Sequence, residues 1–226
     1  MVEGRPQLVE PRVSEAKLKE QLRLWDTNAG VYRRRGWLLL NVENLCVDVA
    51  MVASAGTTPT PPAAAMGVGS LPLPIVAACF RLDYHNFDLW PPSLTFIDPI
   101  SGDPTNPPTR APHDEHGEIR DALIDQHPDT GLPFLCIRGV REYHHHPQHS
   151  GDDWLLYRES GEGSLAAICD RVWRYMVRNV FGIRVTVQTM PPPMPMQLDL
   201  RLMQGDIDAL KNQQTVRVVV APTGGA

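Results

Sequence analysis

Residues 126–158 read QHPDTGLPFLCIRGVREYHHHPQHSGDDWLLYR. Five of the protein's eight histidines lie in this stretch, together with one cysteine, Cys136. A cysteine among histidine, aspartate and glutamate residues is typical of a nucleophile or of a metal ligand. Strand-like apolar runs come before the stretch, and a helical pattern follows it. The stretch therefore separates a sheet-forming part of the chain from a helix-forming part.

The composition limits the classes of function. The chain has 226 residues and a formal net charge of -5, which predict one domain with extensions and no general basic field. Nucleic acid is therefore not an expected partner. No apolar run approaches the roughly 20 residues of a membrane span, and the first residues lack a signal-peptide pattern. We expect no membrane partner and a cytoplasmic location.

The four cysteines are widely spaced and form no Cys-x-x-Cys pair. This spacing argues against a disulfide framework and against a four-cysteine zinc site. Cys46, Cys79 and Cys169 fall in apolar strand or helix patterns, so we expect them in the core. Cys136 is the cysteine with polar, titratable neighbours.

The start of the chain predicts an arm and a helix. Residues 1–13 are expected to be irregular. Ser14 fits a helix N-cap, and apolar residues recur at helical spacing as far as Trp25. A turn that includes Gly30 is expected to end this helix.

Four short apolar runs then predict strands at residues 36–42, 45–52, 75–82 and 93–97. Together they predict an antiparallel meander of three or four strands, with the 75–82 strand in a central position. Residues 54–74, rich in Ala, Thr, Gly and Pro, are expected to form a loop.

The second half predicts loops and a second long helix. We expect a short helix at 118–124, a polar surface loop at 139–153, and a helix that Gly163 and Ser164 open and Gly182 ends. A strand at 183–189, a Pro/Met-rich linker at 190–196, a helix at 203–212 and a strand at 216–220 should follow. The fold class is α+β, with an arm at 1–13, a domain at 14–182 and a C-terminal extension at 183–226.

The order of these features resembles the ubiquitin-conjugating enzyme family. Pro91-Pro92 and the strand after it look like that family's proline signature. His127-Pro128-Asp129 looks like its His-Pro-Asn motif with Asp in place of Asn, and GLPFLCI at 131–137 looks like its cysteine stretch. Trp154 and the following helix look like the next segment. The resemblance covers about residues 14–182 and implies the ubiquitin-conjugating (UBC) fold.

The same resemblance implies a function. Cys136 would carry a ubiquitin-like protein as a thioester, take it from an activating enzyme and pass it to an amine of a target protein, with no cofactor required. His127, Asp129 and His144 are the other expected catalytic residues. An ionised Asp129 would repel an oxyanion, so we expect it to position or deprotonate the attacking amine. Backbone N–H groups would then stabilise the oxyanion.

The second half also resembles a bacterial family predicted to bind metal through a Cys-Glu-His-His pattern. Members of that family are encoded beside ubiquitin-like proteins, activating enzymes and isopeptidases. Cys136, Glu142, His144 and His146 fit the pattern, with His145 as an alternative ligand. This resemblance implies the alternative function, a non-catalytic adaptor of the same pathway that binds zinc through these residues.

The residues leave three roles open for the histidine-rich loop. A zinc ion bound to Cys136 would quench the nucleophile, whereas a site of His144, His146 and His149 with Glu142 would leave the thiol available. In the third role, one imidazole acts as a base or pairs with Cys136.

A basic run lies just after the first predicted helix. Arg33, Arg34 and Arg35 form this run. In the family that the chain resembles, the first helix and its surroundings dock the activating enzyme. The run is therefore a candidate contact with that partner.

Overall fold

The computed structural model describes residues 7–58, 72–115, 118–178, 180–188, 196–204 and 215–220. These residues form a mixed α+β structure. The helices are α1 (Pro11–Arg34), α2 (Arg141–His145), α3 (Trp154–Tyr157) and α4 (Leu165–Val172). The strands are β1 (Trp37–Glu43), β2 (Cys46–Thr58), β3 (Pro72–Asp83), β4 (Ser93–Phe96), β5 (Pro112–Glu115), β6 (Glu118–Asp121), β7 (Leu123–Ile124), β8 (Phe134–Leu135), β9 (Val180–Gln188), β10 (Met196–Gln204) and β11 (Thr215–Val220).

Strands β1 to β4 form the predicted antiparallel meander. The pairs β1–β2, β2–β3 and β3–β4 are all antiparallel, so β3 lies between β2 and β4. Asn44 and Leu45 join β1 to β2 with φ angles of 48° and 62°, as a type I′ hairpin turn requires. The prediction of a four-stranded meander is confirmed.

The strands after α4 extend the same sheet. Gly56 at the end of β2 pairs with Gly182 of β9 in a parallel arrangement, and β10 and β11 follow in antiparallel order. Outside this sheet, β5 pairs with β6 and β7 with β8. The 183–189 and 216–220 strand predictions correspond to β9 and β11. The predicted 203–212 helix is wrong at its start because β10 runs to Gln204, and 205–214 lie outside the described residues.

The core lies between the meander and the helices. Val47, Val49 and Met51 share one face of β2 and are fully buried in the main core cluster. Asp48 and Ala50, on the opposite face, are buried as well, so β2 is covered on both sides. Leu18 and Trp25 of α1, and Ile168 and Val172 of α4, belong to the same buried cluster. No helix among the described residues is long and apolar enough to cross a membrane.

Helix α1 is longer than predicted at both ends. It begins at Pro11, since proline suits the first helical position, and Ser14 is buried with its hydroxyl donating to Phe87 O over 2.9 Å. Gly30 lies inside the helix, which continues to Arg34. Gly36 ends it with φ +78°, and a Cβ there would lie 2.0 Å from Val52 O.

Three further predictions need correction or limits. The predicted helix at 118–124 is wrong, because these residues pair as β6 and β7 with strands on either side. The predicted surface loop at 139–153 contains α2, whose first three residues are buried. The predicted loop at 54–74 is partly strand, because β2 continues to Thr58 and β3 begins at Pro72. Residues 1–6 of the arm, 59–71 of the predicted loop, 189 of the predicted strand and 190–195 of the predicted linker lie outside the described residues. Met196, the last residue of the predicted linker, begins β10.

Helix α4 begins where the sequence predicts. Ser164 is its N-cap, and its hydroxyl accepts a hydrogen bond from the Ala167 N–H over 3.3 Å. A π-helical turn, Trp173–Val177, continues the helix. Strand β9 starts at Val180, so the helical segment ends before Gly182.

Candidate functional site

Cys136 follows β8 directly and is half-buried. The backbone holds it in place, because the Cys136 N–H donates to Ala122 O over 2.8 Å beside the β7–β8 pair. Its sulfur lies 3.1 Å from Nε2 of His149. This contact pairs a thiol with an imidazole, the arrangement that activates cysteine nucleophiles.

His149 reaches Cys136 because a short 3-10 turn, Pro147–His149, follows α2. The imidazole stacks on the Tyr143 ring at a centroid distance of 3.9 Å and an interplanar angle of 19°. Burial lowers the pKa of His149 from its ordinary value, and the nearby His146 lowers it further. The neutral imidazole is therefore favoured, and it can accept the Cys136 proton.

Tyr143 and Asp152 support this pair, and neither was predicted from the sequence. The Tyr143 hydroxyl donates to Asp152 Oδ2 over 2.5 Å, and this hydrogen bond lowers the pKa of Asp152. Arg138 lies 3.6 Å from the same carboxylate oxygen. No sequence motif identifies Tyr143 or Asp152 as site residues. Their roles follow from the stacking of the His149 ring on Tyr143, which is a tertiary contact. The one available signal was a tyrosine next to the histidine run.

His127 is buried and makes contacts within the fold. Its Nδ1 accepts from the Asp129 N–H over 3.2 Å, so Nε2 carries the proton and donates to Glu142 O over 3.1 Å. The ring also meets Phe134 edge-on at 4.9 Å. Because both ring nitrogens are engaged, the geometry favours a positioning role, and the catalytic role stays a prediction. The turn that His127 holds leaves Asp129 exposed.

His144 is also held by the backbone. Its Nδ1–H donates to Asp152 O over 2.6 Å, and Nε2 accepts from the Gly139 N–H over 3.3 Å. An imidazole with both nitrogens engaged can act as neither a base nor a metal ligand without losing one of these bonds. These bonds favour a structural role for His144, whose predicted catalytic and ligand roles stay predictions, and His149 is the imidazole beside Cys136.

The predicted metal ligands do not converge. The Glu142 carboxylate is buried and accepts from the Ser93 hydroxyl and from the Leu94 N–H, which ties α2 to β4. The His146 ring packs on Phe134 at 5.4 Å. Neither the four-residue set of Glu142, His144, His146 and His149 nor the set that includes Cys136 forms a cluster with metal-ligand spacing. In the described part of the chain, such spacing occurs at Cys46, Asp83 and His85.

A family model described as the Y4jH family matches residues 9–110 and 116–180. The chain belongs to the Y4jH-like family. It is 31% identical over 189 residues to the uncharacterized protein y4jH of Sinorhizobium fredii (strain NBRC 101917 / NGR234), a match that covers 75% of this chain and 84% of the relative. The residues matched by the family model run from just before α1 to the start of β9 and include both Cys136 and His149.

The proline and tryptophan positions lie together in this Y4jH-like protein. Pro91 O and Pro92 O accept hydrogen bonds from Arg141, from its Nε over 3.3 Å and from its backbone N–H over 2.9 Å. Trp154 is buried, and its Nε1–H donates to Asp88 O over 2.8 Å. These contacts anchor both ends of the segment that carries Tyr143 and His149.

The three arginines of the predicted partner contact differ in the contacts that they make. Arg33 and Arg34 are exposed in the last turn of α1. Arg35 instead lies 3.2 Å from the Asp170 carboxylate, and its guanidinium stacks over Trp37 and Trp173. Arg35 therefore joins α1 to α4 while its side chain stays 46% exposed, and the partner contact of the three arginines stays a prediction.

The remaining three cysteines differ in burial. Cys79 and Cys169 are buried as predicted, and burial raises the pKa of both thiols, that of Cys79 to about 11. Cys46 is half-buried at the start of β2. Its predicted core position is wrong, because it follows directly after the exposed hairpin turn.

Proposed function

We propose that this protein carries the carboxyl terminus of a ubiquitin-like protein as a thioester on Cys136 and transfers it to an amine of a target protein. The observation that carries the proposal is the 3.1 Å contact between Cys136 Sγ and His149 Nε2. A half-buried thiol beside a neutral imidazole suits nucleophilic attack on an acyl carbon.

The loading step follows from this pair. His149 takes the Cys136 proton as the sulfur attacks the carbonyl carbon of the modifier's thioester on the activating enzyme. The new bond from carbon to Cys136 forms, and the bond to the activating enzyme's sulfur breaks. That departing thiolate takes up a proton, so the exchange needs no oxidant or cofactor.

The transfer step releases the same thiol. An amine of the target attacks the thioester carbon, the carbon–sulfur bond to Cys136 breaks, and an amide forms. The Cys136 thiolate recovers the proton that the attacking nitrogen loses, and His149 can relay it. Asp129 is proposed to hold the incoming amine by charge, because its carboxylate is exposed in the turn that His127 fixes.

The arrangement of the chain supports the resemblance to ubiquitin-conjugating enzymes. A helix precedes a four-stranded antiparallel meander, and the Pro-Pro segment, the His-Pro-Asp turn, Cys136 and Trp154 follow in that order. The finer assignment to the UBC fold is part of the proposal. So are a bacterial conjugation pathway and the docking of an activating enzyme at Arg33 and Arg34.

A non-reducing gel tests this proposal. The protein is incubated with its cognate activating enzyme, ubiquitin-like protein and ATP. We expect an adduct that disappears on addition of dithiothreitol and is absent in Cys136→Ala. Cys79→Ala is the matched control, since Cys79 is buried, and it should keep the adduct. An adduct that survives in Cys136→Ala, or no adduct with an activating enzyme that is itself loaded, would contradict the proposal.

A further inference from the structure

Cys46, Asp83 and His85 form a second cluster of titratable side chains, different from the Cys136–His149 pair. Their candidate ligand atoms all lie within 4.8 Å of one another. We infer that these three residues bind a zinc ion. This inference does not depend on the proposed function, which uses neither the cluster nor a metal.

The sheet brings the three residues together. Cys46 of β2 and Asp83 of β3 are direct partners in the antiparallel register, so their side chains leave the same face of the sheet. His85 follows two residues after Asp83, and its backbone N–H donates to Asp83 Oδ1 over 2.9 Å. Arg141 Nη2 donates to His85 O over 3.0 Å. The cluster is therefore held from β2, β3 and α2 without an ion.

The donor set favours zinc over calcium or magnesium. A thiolate, an imidazole nitrogen and a carboxylate oxygen are the three ligand types of protein zinc sites, whereas calcium and magnesium prefer oxygen alone. Zinc bonds of about 2.0–2.3 Å at tetrahedral angles place ligand atoms about 3.3–3.6 Å apart. His85 Nδ1 lies 2.6 Å from Asp83 Oδ1, so this pair must open slightly as the ion replaces the shared proton.

The cluster of Cys46, Asp83 and His85 is open to solvent, and the charge of the nearby Arg81 is paired with Asp48. The Asp83 and His85 side chains are 20% and 40% exposed, so the ion can enter from solvent. Arg81 donates to both carboxylate oxygens of Asp48 over 2.7 and 2.8 Å. This pairing is the main cause that raises the pKa of the guanidinium, and the nearby Cys46 is a smaller one. That ion pair reduces the repulsion between Arg81 and a bound cation.

A water molecule is expected at the fourth position. His85 lines a groove between α1 and the hairpin turn, together with Glu15, Lys19, Asn44 and Leu45. Three protein ligands and one solvent position are the arrangement of zinc sites that keep an open coordination position. Because the Cys46 thiol must lose its proton to bind the ion, zinc uptake should release a proton and strengthen as pH rises.

Cobalt(II) is a suitable probe, since it takes zinc sites and shows a sulfur-to-metal charge-transfer band. The full-length protein, stripped with a chelator, is titrated with Co²⁺ and then with Zn²⁺. We expect the band to saturate at one equivalent and to vanish as zinc displaces cobalt. Cys46→Ser should abolish the band, and Asp83→Asn or His85→Gln should weaken binding about tenfold or more.

Cys136→Ser is the matched control, because Cys136 and His149 form the other half-exposed Cys–His pair. It should keep the band at full strength. A band that persists in Cys46→Ser, that is lost in Cys136→Ser, or that never saturates would overturn the inference. If Cys46→Ser does not fold, site-resolved alkylation of the unmodified chain decides: zinc should protect Cys46 and leave Cys136 reactive, and equal reactivity of Cys46 with and without zinc would contradict the site.

Discussion

The sulfur of Cys136 lies 3.1 Å from Nε2 of His149, although the two residues are 13 positions apart in the chain. The contact exists because α2 and the 3-10 turn after it fold back over the cysteine. Stacking on Tyr143 then fixes the plane of the imidazole. This pair is the basis of the proposed acyl transfer, and its reactivity can be tested without any partner protein.

Replacement of His149 should slow the reaction of Cys136 with iodoacetamide. We expect His149→Gln to lower the rate at neutral pH about 10- to 100-fold, because the thiol loses its base. Quenched time points with peptide mass spectrometry give the rate for each cysteine. His85→Gln is the control and should leave the rate within about twofold, since His85 lies in the separate cluster with Cys46 and Asp83. Equal Cys136 rates in His149→Gln and the unmodified chain would contradict the assigned base.

Acid should destabilise the fold between about pH 7 and pH 5 mainly through His149, with a smaller share from the more exposed His145. Burial lowers the pKa of both imidazoles below the ordinary value near 6.5, so the unfolded chain binds protons first as pH falls. The free energy of unfolding should therefore fall as pH drops below that value and level off below the folded pKa. The lowered pKa of Asp152 acts only nearer pH 4.

Urea unfolding at about pH 7.5 and pH 5.5 measures this dependence. His149→Gln should reduce the pH slope, because glutamine does not titrate. A slope that is unchanged in both His149→Gln and His145→Gln would show that these imidazoles do not carry the effect.

Glu142 is expected to matter for stability and not for metal binding. Glu142→Ala leaves the Ser93 hydroxyl and the Leu94 N–H without their buried acceptor, which should cost about 2–3 kcal/mol of unfolding free energy. Glu142→Gln keeps the shape and one acceptor, so it should cost less. Thermal or urea unfolding measures both variants. A loss below about 0.5 kcal/mol in Glu142→Ala, or a loss of bound zinc without a loss of stability, would contradict this assignment.

Substitutions in the run of three arginines should affect stability and partner binding at different positions. Arg35→Ala should cost about 1 kcal/mol, because it removes the contacts with Asp170, Trp37 and Trp173. The double variant Arg33→Ala/Arg34→Ala should unfold like the unmodified chain and load with modifier more slowly. Urea unfolding and the rate of adduct formation distinguish the two effects. The opposite pattern, an unstable double variant and a slow-loading but stable Arg35→Ala, would reverse the assignment.

The periodic parts of the fold could be predicted from the sequence. The meander follows from four short apolar runs, such as 45–52 and 75–82, and the start of α4 follows from Ser164. The C-terminal end of α1 was missed because Gly30 resembles a stop signal, whereas the helix continues so that Tyr32 packs on Trp25 and Trp37. Strands β6 and β7 were read as a helix because their pairing partners are set by the tertiary fold.

The candidate site was predictable in part. Cys136 could be singled out by its polar neighbours. Which of the four nearby histidines contacts it depends on which imidazole ring is not already bonded to backbone groups. His144 satisfies both ring nitrogens with Gly139 and Asp152, and that fact has no trace in sequence spacing. Cys46 was placed in the core by its apolar neighbours, whereas its position after a hairpin turn exposes it beside Asp83.

Intact-mass spectrometry of the loading reaction tests the central claim most directly. After incubation with activating enzyme, ubiquitin-like protein and ATP, the account predicts a mass gain equal to the modifier less one water, mapped to Cys136 and removed by dithiothreitol. Cys136→Ser should give the same adduct mass in lower yield. That adduct should resist dithiothreitol and be cleaved by alkali, as an oxygen ester is. A gain mapped to a lysine or to Cys46, or no gain while the activating enzyme is loaded, would contradict the account.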